Sequence, residues 1–277
     1  LLQPVRGSHL VVASDDGQVA PLVGQMVYLS GERSAHLSFV TPESACDSPL
    51  FSRLVEFLAY HAGEHGAFNL LAEIEDTHPA LESLRRSGFA VYSWQQVWRL
   101  PDASKVQRPA DGLWLASQPS DEASIRNLYQ SLVPPLVQGA EPFLSRAPSG
   151  LVYRQGDEVL AFVEALSGLR GIYMVPLIHP EVQDVSALLA DLIHVLPGMG
   201  RPLYLSVRSY QSWLEYSLGQ LGANAAPRQA LLVKHLVMPQ RAAVSRLNVL
   251  ERRQAEPTAS MIQSAALPDE GKPVTGA

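Results

Sequence analysis

Apolar positions along the chain switch between two periods, and the switch occurs twice in the same order. From Asn69 the run NLLAEIE reads as a strand. Ala80, Leu81 and Leu84 then recur at helical spacing. Gly88 stands where a helix would end in a left-handed cap, and Phe89 opens a longer strand to Leu100. The four steps return over residues 202–238. Leu203, Leu205 and Val207 alternate as a strand, Trp213, Leu214, Leu218 and Leu221 share a helical face, Gly222 stops it, and a strand resumes.

The segments ahead of each unit also correspond. Residues 9–14, 19–29 and 35–40 read as strands, separated by the turns Asp15-Asp16-Gly17 and Gly31-Glu32-Arg33, with Pro21 and Gly24 suggesting a bulge. A helix follows from about Pro49 to Ala62, with Leu50, Leu54, Phe57 and Leu58 on one side. In the second half a strand at 113–117 and a helix at 121–132 come first. Then come a hairpin through Gln155-Gly156-Asp157, a strand at 172–178, and a helix opened by His179-Pro180-Glu181 that runs to Leu196 and stops at Pro197-Gly198. Each half has a Pro-Glu step before this helix. Pro42 to Gly88 spans 46 positions and Pro180 to Gly222 spans 42. Matching elements in matching order point to an internal duplication. The expected organisation is a first domain at 1–100, a polar linker at 101–112 with Pro101 and Pro109, and a second domain at 113–239. Residues 240–277, small and proline-containing, read as a disordered tail.

Composition narrows the function classes. The 277 residues are 47% apolar, enough to fill real cores. A net charge of −6 sets aside a general nucleic-acid or anionic-membrane binder. Cys46 is the single cysteine, which excludes an intrachain disulfide and a cysteine-rich zinc site. The single cysteine fits a reducing, cytoplasmic location, and no resident metal is expected. No apolar run reaches the roughly 18 residues a membrane span needs, so no membrane partner is expected.

The order of elements, the steps Val40-Thr41-Pro42 and Ile178-His179-Pro180, and the stretch LRRSGF at 84–89 resemble the GNAT superfamily of acyl-CoA N-acyltransferases, in tandem. The resemblance implies an α/β fold with a mixed sheet and two GNAT-like domains, the first lacking the strand and helices that open the second. It also implies acetyl-CoA as cosubstrate and acetyl transfer to a small-molecule or protein amine. Met174, Val175, Pro176 and Leu177 fall on the strand that would pair with the CoA arm. Gln183, Val185, Ser186, Ala187 and Leu188 fall on the helix start, whose unpaired N–H groups would hold the pyrophosphate. Glu164, on the preceding strand, is the candidate general base. Ser186 and Leu188 replace the family's loop glycines. Leu84 and Leu218 stand where it writes a tyrosine acid, and Tyr216 is the nearby substitute. Those departures define the alternative, an inactive GNAT-fold module that binds a ligand or partner. A third reading has the basic stretch 241–254 touch a partner or nucleic acid.

Overall fold

The computed structural model describes residues 6–15, 21–29, 32–110, 112–143, 150–196 and 201–236. The turns at Asp16-Gly17 and Gly31, the Pro197-Gly198 stop, and the tail with its basic stretch lie outside the described residues. In chain order the elements are β1 (Arg6–Ala13), β2 (Leu22–Leu29), β3 (Ser34–Thr41), α1 (Pro49–Glu64), β4 (Asn69–Glu75), α2 (Ala80–Arg86) and β5 (Ala90–Arg99). The second half adds β6 (Trp114–Ala116), α3 (Glu122–Leu132), α4 (Pro135–Ala140), β7 (Gly150–Gln155), β8 (Glu158–Gly168), β9 (Gly171–Ile178) and α5 (Val185–Val195). It ends with β10 (Leu203–Arg208), α6 (Leu214–Gln220), β11 (Asn224–Ala225) and β12 (Gln229–His235).

The repeated pattern folds into repeated structure, inside one sheet ordered β1-β2-β3-β4-β12-β5-β10-β9-β8-β7-β6. The parallel pairs are β3 with β4 and β9 with β10, one in each half. Both start in step and then part. Ser34, Ala35 and His36 pair with Asn69, Leu70 and Leu71; Ile172, Tyr173 and Met174 pair with Leu203, Tyr204 and Leu205. Beyond those three rungs each pair splays. Gly88 and Gly222 take φ of +87° and +78° as the stops of α2 and α6, the conformation that glycine adopts without a Cβ penalty.

The final strands are exchanged between the halves. β12 lies between β4 and β5, pairing antiparallel with both, and β5 lies between β12 and β10. Residues 101–112, read from the sequence as a linker, run between β5 and β6, and Val106 packs against the core that α5 covers.

Apolar alternation then builds two covered faces. Leu70, Ala72, Ala230 and Leu232 pack under α1 and α2. Leu205, Val207, Met174 and Ile178 continue that face under α5 and α6. The opposite face carries Leu71, Leu231, Val233, Phe162 and Leu177 under α3 and α4. The alternation of Leu203, Leu205 and Val207 is observed as one buried face of β10. Phe57, assigned to the buried side of α1, is 51% exposed, and Phe51 and Val55 are buried instead. The helix expected from Pro180 starts later, at Val185, because the Asp184 carboxylate accepts the Ala187 N–H at 2.8 Å and caps it there. The bulge expected at Pro21 and Gly24 falls one step on, between Gln25 and Met26, and Gly24 sits against Leu54 and Leu58 of α1. Among the described residues no helix is long and apolar enough to cross a membrane.

Candidate functional site

A pocket of about 350 Å³ opens between α3–α4 and the sheet, at the seam of the two halves. β4 contributes Leu71 and Glu73, β8 contributes Phe162 and Glu164, β9 contributes Val175 and Leu177, and β10 ends in Arg208. α4 reaches the first half through its last turn. Ser34 Oγ donates to the Ala140 carbonyl at 3.1 Å, and Asn69 Nδ2 donates to the Gly139 carbonyl at 3.2 Å. These bonds satisfy carbonyls that a helix C-terminus leaves open.

Glu141, just past α4, is the hub of the wall. Its carboxylate accepts hydrogen bonds from the Tyr92 hydroxyl and from Arg208 Nη2, the latter at 3.1 Å, and its backbone carbonyl accepts the Tyr129 hydroxyl. Burial first, and the Glu141 charge second, push the Tyr92 and Tyr129 phenols well above their usual range. Tyr210 is pushed up to about 12, mainly by burial, with Arg208 pulling the other way. For Arg208 burial lowers the pKa, but Glu141 and the surrounding phenols outweigh it, so the guanidinium is held charged. Arg208 is 7% exposed, and its Nη1 has no hydrogen-bond partner among the described residues.

A polar row crosses the sheet beside this wall. Gln95 Nε2 donates to Gln229 Oε1 at 2.8 Å and to Glu73 Oε2 at 3.2 Å, and Ser206 Oγ donates to Gln95 Oε1 at 2.9 Å. The row therefore ties β4, β12, β5 and β10 together across the exchanged strands. Burial, more than any neighbouring charge, raises the Tyr173 phenol at its far end.

The sequence candidates divide between the two faces. Glu164 lies opposite Val175 in the β8–β9 ladder, and both line the pocket with Leu177. Met174 points the other way, fully buried under α5. Tyr216 is 76% exposed on α6, the helix that packs on that other face, so the structure does not bring it to Glu164. Tyr210 and Tyr129 are the phenols on the pocket wall.

The splay between β9 and β10 is bridged by a side chain. Gln211 is 1% exposed; its Nε2 donates to the Pro176 carbonyl and its Oε1 accepts the Ile178 N–H, each at 2.8 Å. Proline at 176 has no N–H to offer. At the head of α5, Gln183 is exposed, Val185, Ser186 and Ala187 are half-buried, and Leu188 is buried in the core. The Asp184 carboxylate already occupies the N-terminal amide of Ala187. A pyrophosphate there would lose that donor and meet a negative charge. Two contacts that an extended amide arm would seek on β9 are likewise taken, so the residues present do not fit acetyl-CoA well in this cleft.

No sequence pattern marks Arg208, Glu141 or Gln211. Arg208 closes an apolar strand, where a charge normally marks the solvent boundary, and Glu141 and Gln211 sit in short polar segments without periodicity. The one legible signal was phase: Tyr204, Ser206 and Arg208 alternate with the buried Leu203, Leu205 and Val207, which puts Arg208 on the polar side of β10.

No family model matches the chain, and no curated protein matches it. Solved structures do. A functionally unknown conserved protein from Staphylococcus epidermidis matches with a TM-score of 0.52 at 10% identity, over 74% of this chain and 85% of that one. A GCN5-related N-acetyltransferase from Kribbella flavida gives 0.51 at 14% identity, over 82% and 89%. One from Sphaerobacter thermophilus gives 0.50 at 15% identity, over 80% and 82%. With the parallel splayed pair present in each half, the chain has the GNAT fold in tandem, an α/β mixed sheet built twice.

Proposed function

We propose that this chain is a GNAT-fold binding protein whose pocket takes a small amine, and that the cleft of its second half does not work as an acetyl-CoA site. The observation that carries the reading is Gln211, which uses the Pro176 carbonyl and the Ile178 N–H inside the splay. The amine is supported by charge. Of the carboxylates that line the pocket, Glu141 is paired with Arg208, Glu32 and Glu164 have partners of their own, and Glu73 accepts the neutral amide of Gln95. A carboxylate held by a neutral amide favours a cation over an anion.

The second reading is an N-acetyltransferase acting on that amine. It is favoured by the fold and by Val175 and Leu177, which belong to the splayed part of β9 and also line the pocket beside Glu164. Under it Glu164 would take the proton from the attacking amine.

One measurement separates the two. Thermal unfolding of the full chain is followed with millimolar acetyl-CoA and, separately, with 3-methylbutylamine. The binding reading expects a shift with the amine and none with acetyl-CoA. A ligand at about 100 times its dissociation constant adds roughly 2.7 kcal/mol. A shift of that size with acetyl-CoA, together with an acetylated amine in the mass spectrum, overturns the binding reading in favour of the enzyme.

A further inference from the structure

The pocket holds a feature that an amine alone leaves unexplained. Arg208 is anchored from one side only: Nη2 donates to Glu141, while Nη1 is buried without a partner among the described residues. A buried donor without an acceptor is costly, and a guanidinium is charged under all ordinary conditions. Glu141 serves Nη2 alone, and its second carboxylate oxygen accepts the Tyr92 hydroxyl. The Tyr92, Tyr129 and Tyr210 phenols are all pushed toward the neutral form, so none of them supplies a counter-charge. The missing partner is an acceptor oxygen that enters through the pocket that Arg208 lines.

The other walls restrict what carries that oxygen. Glu73 and Glu164 lie on β4 and β8, on either side of the strand that bears Arg208 in the sheet order, and both face the same space. Leu71, Phe162, Val175 and Leu177 supply an apolar floor, with Val133 and Val137 above it. A complementary ligand has an ammonium for Glu73, a carboxylate for Arg208 Nη1, and an apolar body between α3–α4 and the sheet. We infer that the pocket binds a free amino acid with an apolar side chain, its carboxylate on Arg208 and its ammonium toward Glu73, whose carboxylate reaches Gln95, the ladder partner of Arg208. This rests on the amine-binding reading above and adds the second recognition point.

Calorimetric titration of the full chain with L-leucine, 3-methylbutylamine and 4-methylpentanoate tests it. The second ligand is leucine without its carboxylate and the third is leucine without its ammonium. Leucine is expected to bind at least about tenfold more tightly than either, the worth of one charge-assisted hydrogen bond. Arg208→Gln should weaken leucine at least about tenfold, so that it binds no more tightly than the amine binds the same variant. Equal binding of leucine and the amine to the wild type overturns the amino-acid assignment while the amine-binding reading stands. Binding by neither overturns both. If Arg208→Gln fails to fold once Glu141 loses its cation, the three wild-type titrations still decide the matter.

Discussion

Replacing Gln211 by leucine tests the reasoning about the cleft most directly. The two residues have similar bulk, so the substitution leaves no large void. What it removes are two buried hydrogen bonds of 2.8 Å, from the Pro176 carbonyl and the Ile178 N–H. The side chain is 1% exposed, so water has no direct route to replace it. An orphaned buried polar group costs about 1–3 kcal/mol, giving roughly 2–6 kcal/mol for the pair. The apolar surface gained by leucine offsets about 1 kcal/mol of that at roughly 25 cal/mol per Å². The net expectation is a loss of about 3 kcal/mol, or about 6–12 °C in Tm at roughly 2–4 °C per kcal/mol. Urea unfolding gives the free energy directly. An unchanged m-value would show that the loss belongs to the folded state. A loss below about 1 kcal/mol would mean that the splay satisfies Pro176 and Ile178 by other means, and the argument against an acetyl-CoA arm would lose its support.

Two further outcomes follow from the same geometry. Tyr210 holds its proton to about pH 12 in the folded chain against an ordinary value of 10.0. The folded state therefore binds more protons than the unfolded state between those values, and stability falls as pH rises from about 10 to about 12. Phenolate absorbance of the wild type compared with Tyr210→Phe isolates this step; a Tyr210 step near 10 removes the case for a buried phenol. Gly171→Ala should destabilise by about 1–3 kcal/mol in denaturant unfolding, because φ there is +152° and a Cβ would lie 2.5 Å from the Pro202 carbonyl oxygen. A neutral result would show that β9 and the entry to β10 can separate at this point without cost.

The fold was legible in the sequence because periodicity and glycine stops are local. Leu203, Leu205 and Val207 announced one face of β10, and Gly88 and Gly222 announced the ends of α2 and α6, from side chains within a few residues of one another. The Asp184 cap was local too, but it competed with Pro180, and a proline step reads more strongly than a lone aspartate. The pocket was not legible, because its parts come from distant elements. Glu141 and Arg208 are 67 positions apart, and Tyr92 reaches Glu141 across the seam of the halves. Glu164 could be picked out because it interrupts a buried strand. Tyr216 is near the family's tyrosine position in sequence only, and α6 turns it to solvent on the other face.

The exchanged final strands explain why this pocket lies where it does. Had each half kept its own last strand, β5 would pair with β4 and β12 with β10, and Tyr92 would not lie on the strand beside Arg208. The exchange places β5 directly beside β10, so that Gln95 is the ladder partner of Arg208. It also brings Tyr92, from the first half, to the Glu141 that holds Arg208 from the second. α3 and α4 then cover a surface to which both halves contribute, and α4 is fastened to the first half through Ser34 and Asn69. Duplication alone would yield two equivalent clefts. The exchange, with one pair of covering helices among the described residues, yields a seam that neither half could form alone. The buried guanidinium lies at that seam, and a ligand that satisfied it would be held by strands from both repeats.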